Sequence, residues 1–395
     1  MRVSFVLRGI APAIFFLLPG CIRHHKGPVL DFGNTLCQTL GTDRFPVKRL
    51  RVTHLPFGKP TDYPMVVDLL QYNLAEVPTL YNSSLVGLPD GGYLLSQRFD
   101  CMRRAATETQ DYTLISELDA QLHPRGNIQF LPFPIPGHPQ SESHGVDDIR
   151  LFTRQGHIWA VGNDERAEMG GKRLSHLFRL EKSADIWMVK EAIGLNRPNH
   201  ATQAGPEKNW TPISGGPWES NNPIFNYYLW PKTEFITAHL SEKDARLQET
   251  SLTHSCTPAH MPWDIKKWGG LRGGTPAIWL EDKQQYLSLF HSAERQGKNK
   301  WYYMGAYTFS PKSGCLTGIS KEPITYGDMY KGPKGRLVQS FGPEGGVVFP
   351  MGLVDAKREE KSVFLIAFGS NDTESKILVL DREKLLESLV PIEEK

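Results

Sequence analysis

Residues 148–164 read DIRLFTRQGHIWAVGND, an alternating, hairpin-like unit that Asp148 opens and Asp164 closes. Alternation over such a length marks strands with one buried face rather than helix. Four other stretches have the same form: residues 82–100 (NSSLVGLPDGGYLLSQRFD), 209–228, 275–291 (TPAIWLEDKQQYLSLFH) and 349–372. They open on Asn82, Asn209, Thr275 and Phe349, so four of the five units begin with a polar or charged residue. The starts lie about 65 residues apart, exceeding the roughly 40–50 residues of a four-stranded propeller blade only by loop insertions. The recurrence predicts an all-β fold, a five-bladed β-propeller with short peripheral helices. Innermost strands of such a wheel surround a central channel, so polar groups at equivalent blade ends converge on one axial pocket.

Composition agrees with that reading. A chain of 395 residues exceeds an average domain, but closed all-β architectures often reach such lengths as one unit. Nine Trp, 19 Phe and 13 Tyr favour strands, while 36 Gly and 29 Pro supply turns. Helical spacing is confined to residues 114–122 (LISELDAQL) and 382–389 (REKLLESL). Net charge is only +2 with no long basic run, which excludes the electrostatic footprint of a nucleic-acid binder.

The N-terminus reads as an export signal. Arg2 and Arg8 precede the apolar stretch IAPAIFFLL at residues 10–18, followed by Pro19, Gly20 and Cys21. The apolar run is short for a membrane span. The order Leu18-Pro19-Gly20-Cys21 is similar to a bacterial lipobox, whose Cys is lipidated, although Pro is not its usual residue there. Residues 1–21 are therefore expected to be a signal peptide or lipoprotein signal, residues 22–45 a tether and residues 46–395 the propeller. The protein is expected to be exported, either secreted or attached to a membrane through lipid on Cys21. The remaining Cys37, Cys101, Cys256 and Cys315 form an even set, open to two disulfides in any of three pairings or to four buried thiols. Sequons at Asn82, Asn209 and Asn371 fall where the pocket is expected rather than on exposed loops.

Residues 241–270 show little alternation, and loops of that length are usually functional or disordered. Trp263 and Trp268 could cover a sugar face from there, or the stretch could be a solvent-exposed insertion fixed by Cys256. His254, Cys256 and His260 match no established zinc spacing, and no metal is expected.

The chemistry gathers at blade ends. In residues 145–152 (GVDDIRLF), adjacent side chains point to opposite faces of a strand, so Asp148 and Arg150 share a face and Asp147 points away. Lys208 and Asn209 stand at the start of the third unit and Gly273-Gly274-Thr275 at the start of the fourth. An apolar strand delivers His291 at its end, followed by Tyr302 and Tyr303, and Asn371 and Asp372 close the fifth unit. Each has a bland alternative: an edge ion pair, a solvated lysine, a satisfied core histidine, turn glycines. Their recurrence in register favours a shared site.

These segments resemble glycoside hydrolase family 130, the β-mannoside phosphorylases and hydrolases. The residues that carry the likeness are Asp147-Asp148-x-Arg150, Lys208-Asn209-x-x-Pro212, Gly273-Gly274-Thr275-Pro276, His291, Tyr302-x-Met304-Gly305, Glu322-Pro323-Ile324, Val347-Val348-Phe349-Pro350 and Gly369-x-Asn371-Asp372. That family consists of five-bladed propellers. The resemblance implies Asp148 as the general acid, with Asp147 where Glu is usual and Ile149 where Pro is usual. It implies Arg150, Lys208, His291 and Tyr302 as ligands of phosphate, and Asn82, Arg98, Asp100 and Asp372 as pocket residues; Asp147, Asn209 and Thr275 join them as candidate substrate contacts. The expected partner is an oligosaccharide or other glycan, and no cofactor is expected beyond inorganic phosphate or a sugar phosphate as co-substrate.

Inverting cleavage of a glycosidic bond needs one acid on the leaving oxygen and a nucleophile on the opposite face, either water activated by a second carboxylate or an anion. A cationic set around phosphate would bind it by charge-assisted hydrogen bonds, which favours phosphorolysis or mannosyl transfer over hydrolysis. The alternatives are a glycan-binding propeller without catalysis and a hydrolase with three convergent carboxylates, for which Asp100, Asp148 and Asp372 are the candidates.

Overall fold

The computed structural model describes residues 50–53, 65–68, 71–74, 80–102, 109–131, 133, 146–165, 173–196, 208–240, 247–326, 329–330 and 346–393. The signal and tether segments with Cys21 and Cys37 lie outside the described residues, as do the side chains of Asp100 and Cys101. Near the N-terminus β1 (Leu50–Thr53) pairs with β3 (Gln71–Leu74), and β2 (Met65–Asp68) lies between them in sequence.

Four antiparallel strands make each repeat. The first blade is β4 (Leu80–Gly87), β5 (Tyr93–Met102), β6 (Thr109–Leu118) and β7 (Pro124–Leu131); the second is β8 (Val146–Arg154), β9 (His157–Glu165), β10 (Arg173–Ser183) and β11 (Ile186–Leu195). The third is β12 (Thr211–Ser214), β13 (Ile224–Tyr228), β14 (Thr233–Ala238) and β16 (Thr250–Cys256), with the short β15 (Leu247–Gln248) running parallel to β11. After β17 (Gly270–Gly273), which pairs with β19, the fourth blade is β18 (Ala277–Leu280), β19 (Gln285–Gln296), β20 (Asn299–Phe309) and β21 (Leu316–Ser320). The fifth is β22 (Gly346–Arg358), β23 (Lys361–Ser370) and β24 (Glu374–Asp381), and its fourth strand is β2 from the other end of the chain. A strand from the N-terminal part thus completes the last blade, and β25 (Leu389–Pro391) adds to β21.

Packing closes the ring. Each large apolar cluster lies between two successive blades: Leu94, Ile115, Leu151 and Phe178 join the first to the second, and Phe152, Trp159, Trp210 and Phe225 the second to the third. Phe235, Trp263, Tyr286 and Phe309 join the third to the fourth, Leu287, Leu289, Phe364 and Ile366 the fourth to the fifth, and Leu85, Leu95, Leu365 and Val379 the fifth back to the first. Every blade is therefore apolar on both faces, and five interfaces account for five blades.

That double burial explains one failed expectation. Residues 114–118 are the end of β6, not a helix, and 119–122 form the turn beyond it. Ile115 packs toward the second blade and Leu118 toward the fifth, so a strand buried on both faces carries an apolar run whose spacing imitates a helix. The C-terminal helix is present as α2 (Arg382–Glu387), N-capped by Asp381, and stops short of Leu389, which enters β25. Of the two readings of residues 241–270, an exposed insertion fixed by Cys256 agrees better with the described residues than an aromatic cover does. These residues supply β15, the outer strand β16 and the short α1 (Ile265–Trp268), and Trp263 is buried against Phe290 rather than free to cover a ligand. Cys256 is bonded to Cys315, so its sulfur is no metal ligand, and His254 stacks on Trp218.

Candidate active site at the axis

Three innermost strands enter the axis through the same backbone device. Asn82, Asp148 and Asn209 have φ of 48°, 54° and 64°, the left-handed region that Asn and Asp tolerate better than other side-chain-bearing residues. In β4 and β8 the pairing register shifts at this point, between Tyr81 and Ser84 and between Asp147 and Arg150, as a β-bulge does. The recurrent polar residue is thus required partly by the backbone, and the bulge turns its side chain to the axis.

Those side chains meet. Asn82 Nδ2 donates to Asp148 Oδ1 at 2.9 Å, and Arg98 Nη1 donates to the same oxygen at 3.1 Å. Arg98 also stands 3.5 Å from Asp147 Oδ2, with its guanidinium 5.3 Å from the Tyr81 ring centre. Asp147 therefore does not point away from Asp148, because the bulge breaks the alternation on which that expectation rested.

Arg150 is a buried hub. Its Nε donates to Gly274 O at 2.6 Å, Nη1 to the main-chain oxygen of Asp148 at 3.0 Å and Nη2 to Asn209 Oδ1 at 3.0 Å, and its guanidinium lies 5.6 Å from the Phe349 ring centre. It thereby touches the second, third, fourth and fifth blades. Three of its five N–H groups are committed to protein acceptors. Burial lowers the guanidinium to about 10, against the opposing pull of Asp148 and Asp147, so it stays charged at neutral pH.

His291 meets Phe349 edge-on, with ring centres 4.5 Å apart, and lies 5.1 Å from the ring of Tyr302. Burial, then Arg272 and Arg150, holds the imidazole well below its ordinary value, so it is neutral. Its Nδ1 lies 2.9 Å from the carbonyl of Gly273, which can only accept. The proton therefore sits on Nδ1, and Nε2 presents a lone pair. In the expected cationic set, His291 is an acceptor and not a cation.

Asp148 is the converse case. Burial would raise its carboxyl, but Arg98, Arg150, the Asn82 amide and Lys208 outweigh burial and hold it below the usual carboxylate range. Arg150 and, more weakly, Lys208, which directly precedes Asn209, act electrostatically on both Asp148 and His291. Arg272, paired in register with His291, is a further cation that the sequence reading did not single out.

Other expected residues have different positions. The Thr275 hydroxyl accepts from Leu289 N–H at 2.9 Å, and Ser288 donates to the Thr275 carbonyl at 2.8 Å, so Thr275 is fully buried inside its own blade. Asp372 has φ of 51° beside Asn371, whose Oδ1 accepts from Val347 N–H at 3.0 Å at the same end of the fifth blade. Asp100 belongs to β5, but its side chain is outside the described residues. Phe349, named as a unit start and within a matching segment but given no role, emerges as a ring that both Arg150 and His291 approach; an aromatic opening the fifth unit where the others carry polar residues was the available signal.

No family model matches the chain, and no curated protein matches it. Similar solved structures include a GDP-Man-dependent mannosyltransferase from Leishmania mexicana, at 13% identity over 85% of this chain and 95% of that one, with a TM-score of 0.48. A mannose phosphorylase from Leishmania mexicana in complex with phosphate ion has 11% identity over 80% and 87%, with a TM-score of 0.44. The endo-arabinase from Bacteroides thetaiotaomicron VPI-5482 has 13% identity over 78% and 95%, with a TM-score of 0.40. Likeness at this level assigns no activity.

Proposed function

We propose that the chain is a carbohydrate-active enzyme that moves a β-mannosyl or related glycosyl unit between phosphate and an acceptor hydroxyl, with inversion. The observation that carries the reading is the Asp148 carboxylate at the axis, held by Asn82 and Arg98 at 2.9 and 3.1 Å beside Arg150 and Lys208. A lone binding site has no need of a carboxylate kept among cations, whereas proton transfer at a glycosidic oxygen does.

Ionised Asp148 suits transfer from a sugar phosphate. The acceptor O–H gives its proton to Asp148, its oxygen bonds to the anomeric carbon, and the bond from that carbon to the phosphate oxygen breaks. Phosphate departs with the bonding electrons toward the basic groups. In phosphorolysis the same atoms move in reverse, and Asp148 must first be protonated. An arriving phosphate dianion favours that step, because it offsets the positive charge of Arg150 and Lys208 that holds Asp148 ionised. Neutral His291 can accept a hydrogen bond from a P–OH group through Nε2.

Incubation with β-mannosides, with and without phosphate, tests the reading through formation of mannose 1-phosphate, and incubation with mannose 1-phosphate and oligosaccharide acceptors tests the reverse. Release of free mannose independent of phosphate would make it a hydrolase. Binding of mannosides with no turnover at any phosphate concentration would leave a glycan-binding propeller.

A further inference from the structure

Asn82 and Asp148 stand near the starts of β4 and β8, and the later parts of β4, β8, β12, β18 and β22 come together away from them. A cavity of about 820 Å³ opens there, within the size range of small-molecule sites. Val86, Leu151, Ile278 and Leu353, one from each of four blades, form its apolar throat. Asp148, Arg150, Lys208 and His291 do not line it.

Its wall is built around a fixed indole. Trp279 lies flat on Gly216, where φ is 68° and any Cβ would come within 2.6 Å of the ring. Tyr286 meets Trp279 edge-on at 5.0 Å, and Trp279 Nε1 donates to Glu281. A second indole, Trp187, donates its N–H to Glu117 at 2.8 Å. Both N–H groups are thus committed, and the rings offer carbon surface. Beside them Ser214 donates to the Thr153 carbonyl at 2.7 Å, and Thr153 Oγ1 lies 3.0 Å from Ser214 Oγ, so the two hydroxyl oxygens retain acceptor capacity. Charged lining groups are balanced within the protein: Lys182 by Glu117, Glu181 by Lys190 and Asp355 by Arg382.

We infer that this cavity is a second ligand site, separate from the axial carboxylate, for a neutral polyhydroxylated ring such as a sugar unit of an oligosaccharide. A sugar ring has an apolar C–H face for Trp279 and hydroxyls for the oxygens of Thr153, Ser214 and Asp355. The balanced charges give an anion or cation no unpaired partner. The inference stands apart from the assignment of Asp148.

Calorimetric titration of the Asp148→Asn protein with cellobiose and with β-1,4-mannobiose is the test, alone and with Trp279→Ala or Thr153→Phe added. Thr153 is exposed, so the Phe variant fills the cavity without disturbing a core position, and an unchanged melting temperature certifies its fold. At least one disaccharide should show a binding event that is at least ten-fold weaker in both double variants, beside any axial binding that the Asp148→Asn protein retains, while Thr153→Phe in the native background leaves glycosyl turnover unchanged. Isotherms of both disaccharides that are the same in the Asp148→Asn protein and in both double variants, or no binding of either disaccharide, would overturn the inference. Absence of turnover in the native protein would refute the role of Asp148 but leave this site standing.

Discussion

Asp148→Asn separates the charge of this residue from its shape. Asn82 and Arg98 both donate to Oδ1, and an amide oxygen in the same place can accept both bonds. What the variant removes is the negative charge, so Arg98 loses its ion pairing with this residue and the Asn82 bond falls from charge-assisted to ordinary strength, a loss of about 1–2 kcal/mol. Asp148→Ala removes the acceptor as well and leaves Arg98 and Arg150 without that counter-charge, at a cost of about 3–5 kcal/mol. The sign of the pH dependence follows from the depressed carboxyl of the folded state. Its stabilisation is present above the unfolded value near 3.9 and is lost as pH falls through the lower folded value. Guanidinium unfolding of parent and Asn variant at pH 7 should give the full gap, and the gap should shrink below about pH 3.9. Turnover of the Asn variant should drop by roughly 10²- to 10⁴-fold with sugar binding retained. A gap that stays constant or widens on acidification would refute the electrostatic account, and parental turnover in the Asn variant would refute its role as proton carrier.

Arg150→Met should destabilise the fold by about 3–5 kcal/mol in the same unfolding measurement, because three blades lose their common donor and Asp147 and Asp148 lose a cation. His291→Ala should raise KM for phosphate roughly ten-fold, about one hydrogen bond, with little change in KM for the sugar, as read from initial rates. Gly273→Ala should destabilise by about 1–3 kcal/mol, since its Cβ would fall 2.1 Å from the carbonyl oxygen of Asn209 across the blade junction; thermal melts would show it. Replacing Cys256 and Cys315 together by Ser should cost about 2–4 kcal/mol by releasing β16 from the fourth blade, measured by denaturant unfolding.

Much of the wheel was legible in the sequence. Five hairpins with alternating residues specify strands locally, and their spacing counts the blades, because each blade is one supersecondary unit repeated along the chain. The polar residues at Asn82, Asp148 and Asn209 were equally visible, since only a few residue types tolerate the left-handed backbone at those points. Residues 114–118 imitate a helix because burial on both faces erases the alternation that distinguishes a strand.

Only the tertiary structure decided what the axial residues do to one another. Alternation placed Asp147 on the wrong side because a bulge is a matter of pairing register between strands, not of one strand's pattern. Charge states were likewise beyond the sequence. His291 is neutral through burial beside Arg272 and Arg150, and Asp148 is ionised through Arg98, Arg150, Asn82 and Lys208, groups brought from distant parts of the chain. Local pattern fixes which strands form, since it acts between neighbours in sequence. Desolvation and Coulomb energy act between neighbours in space, and those exist only once the ring has closed.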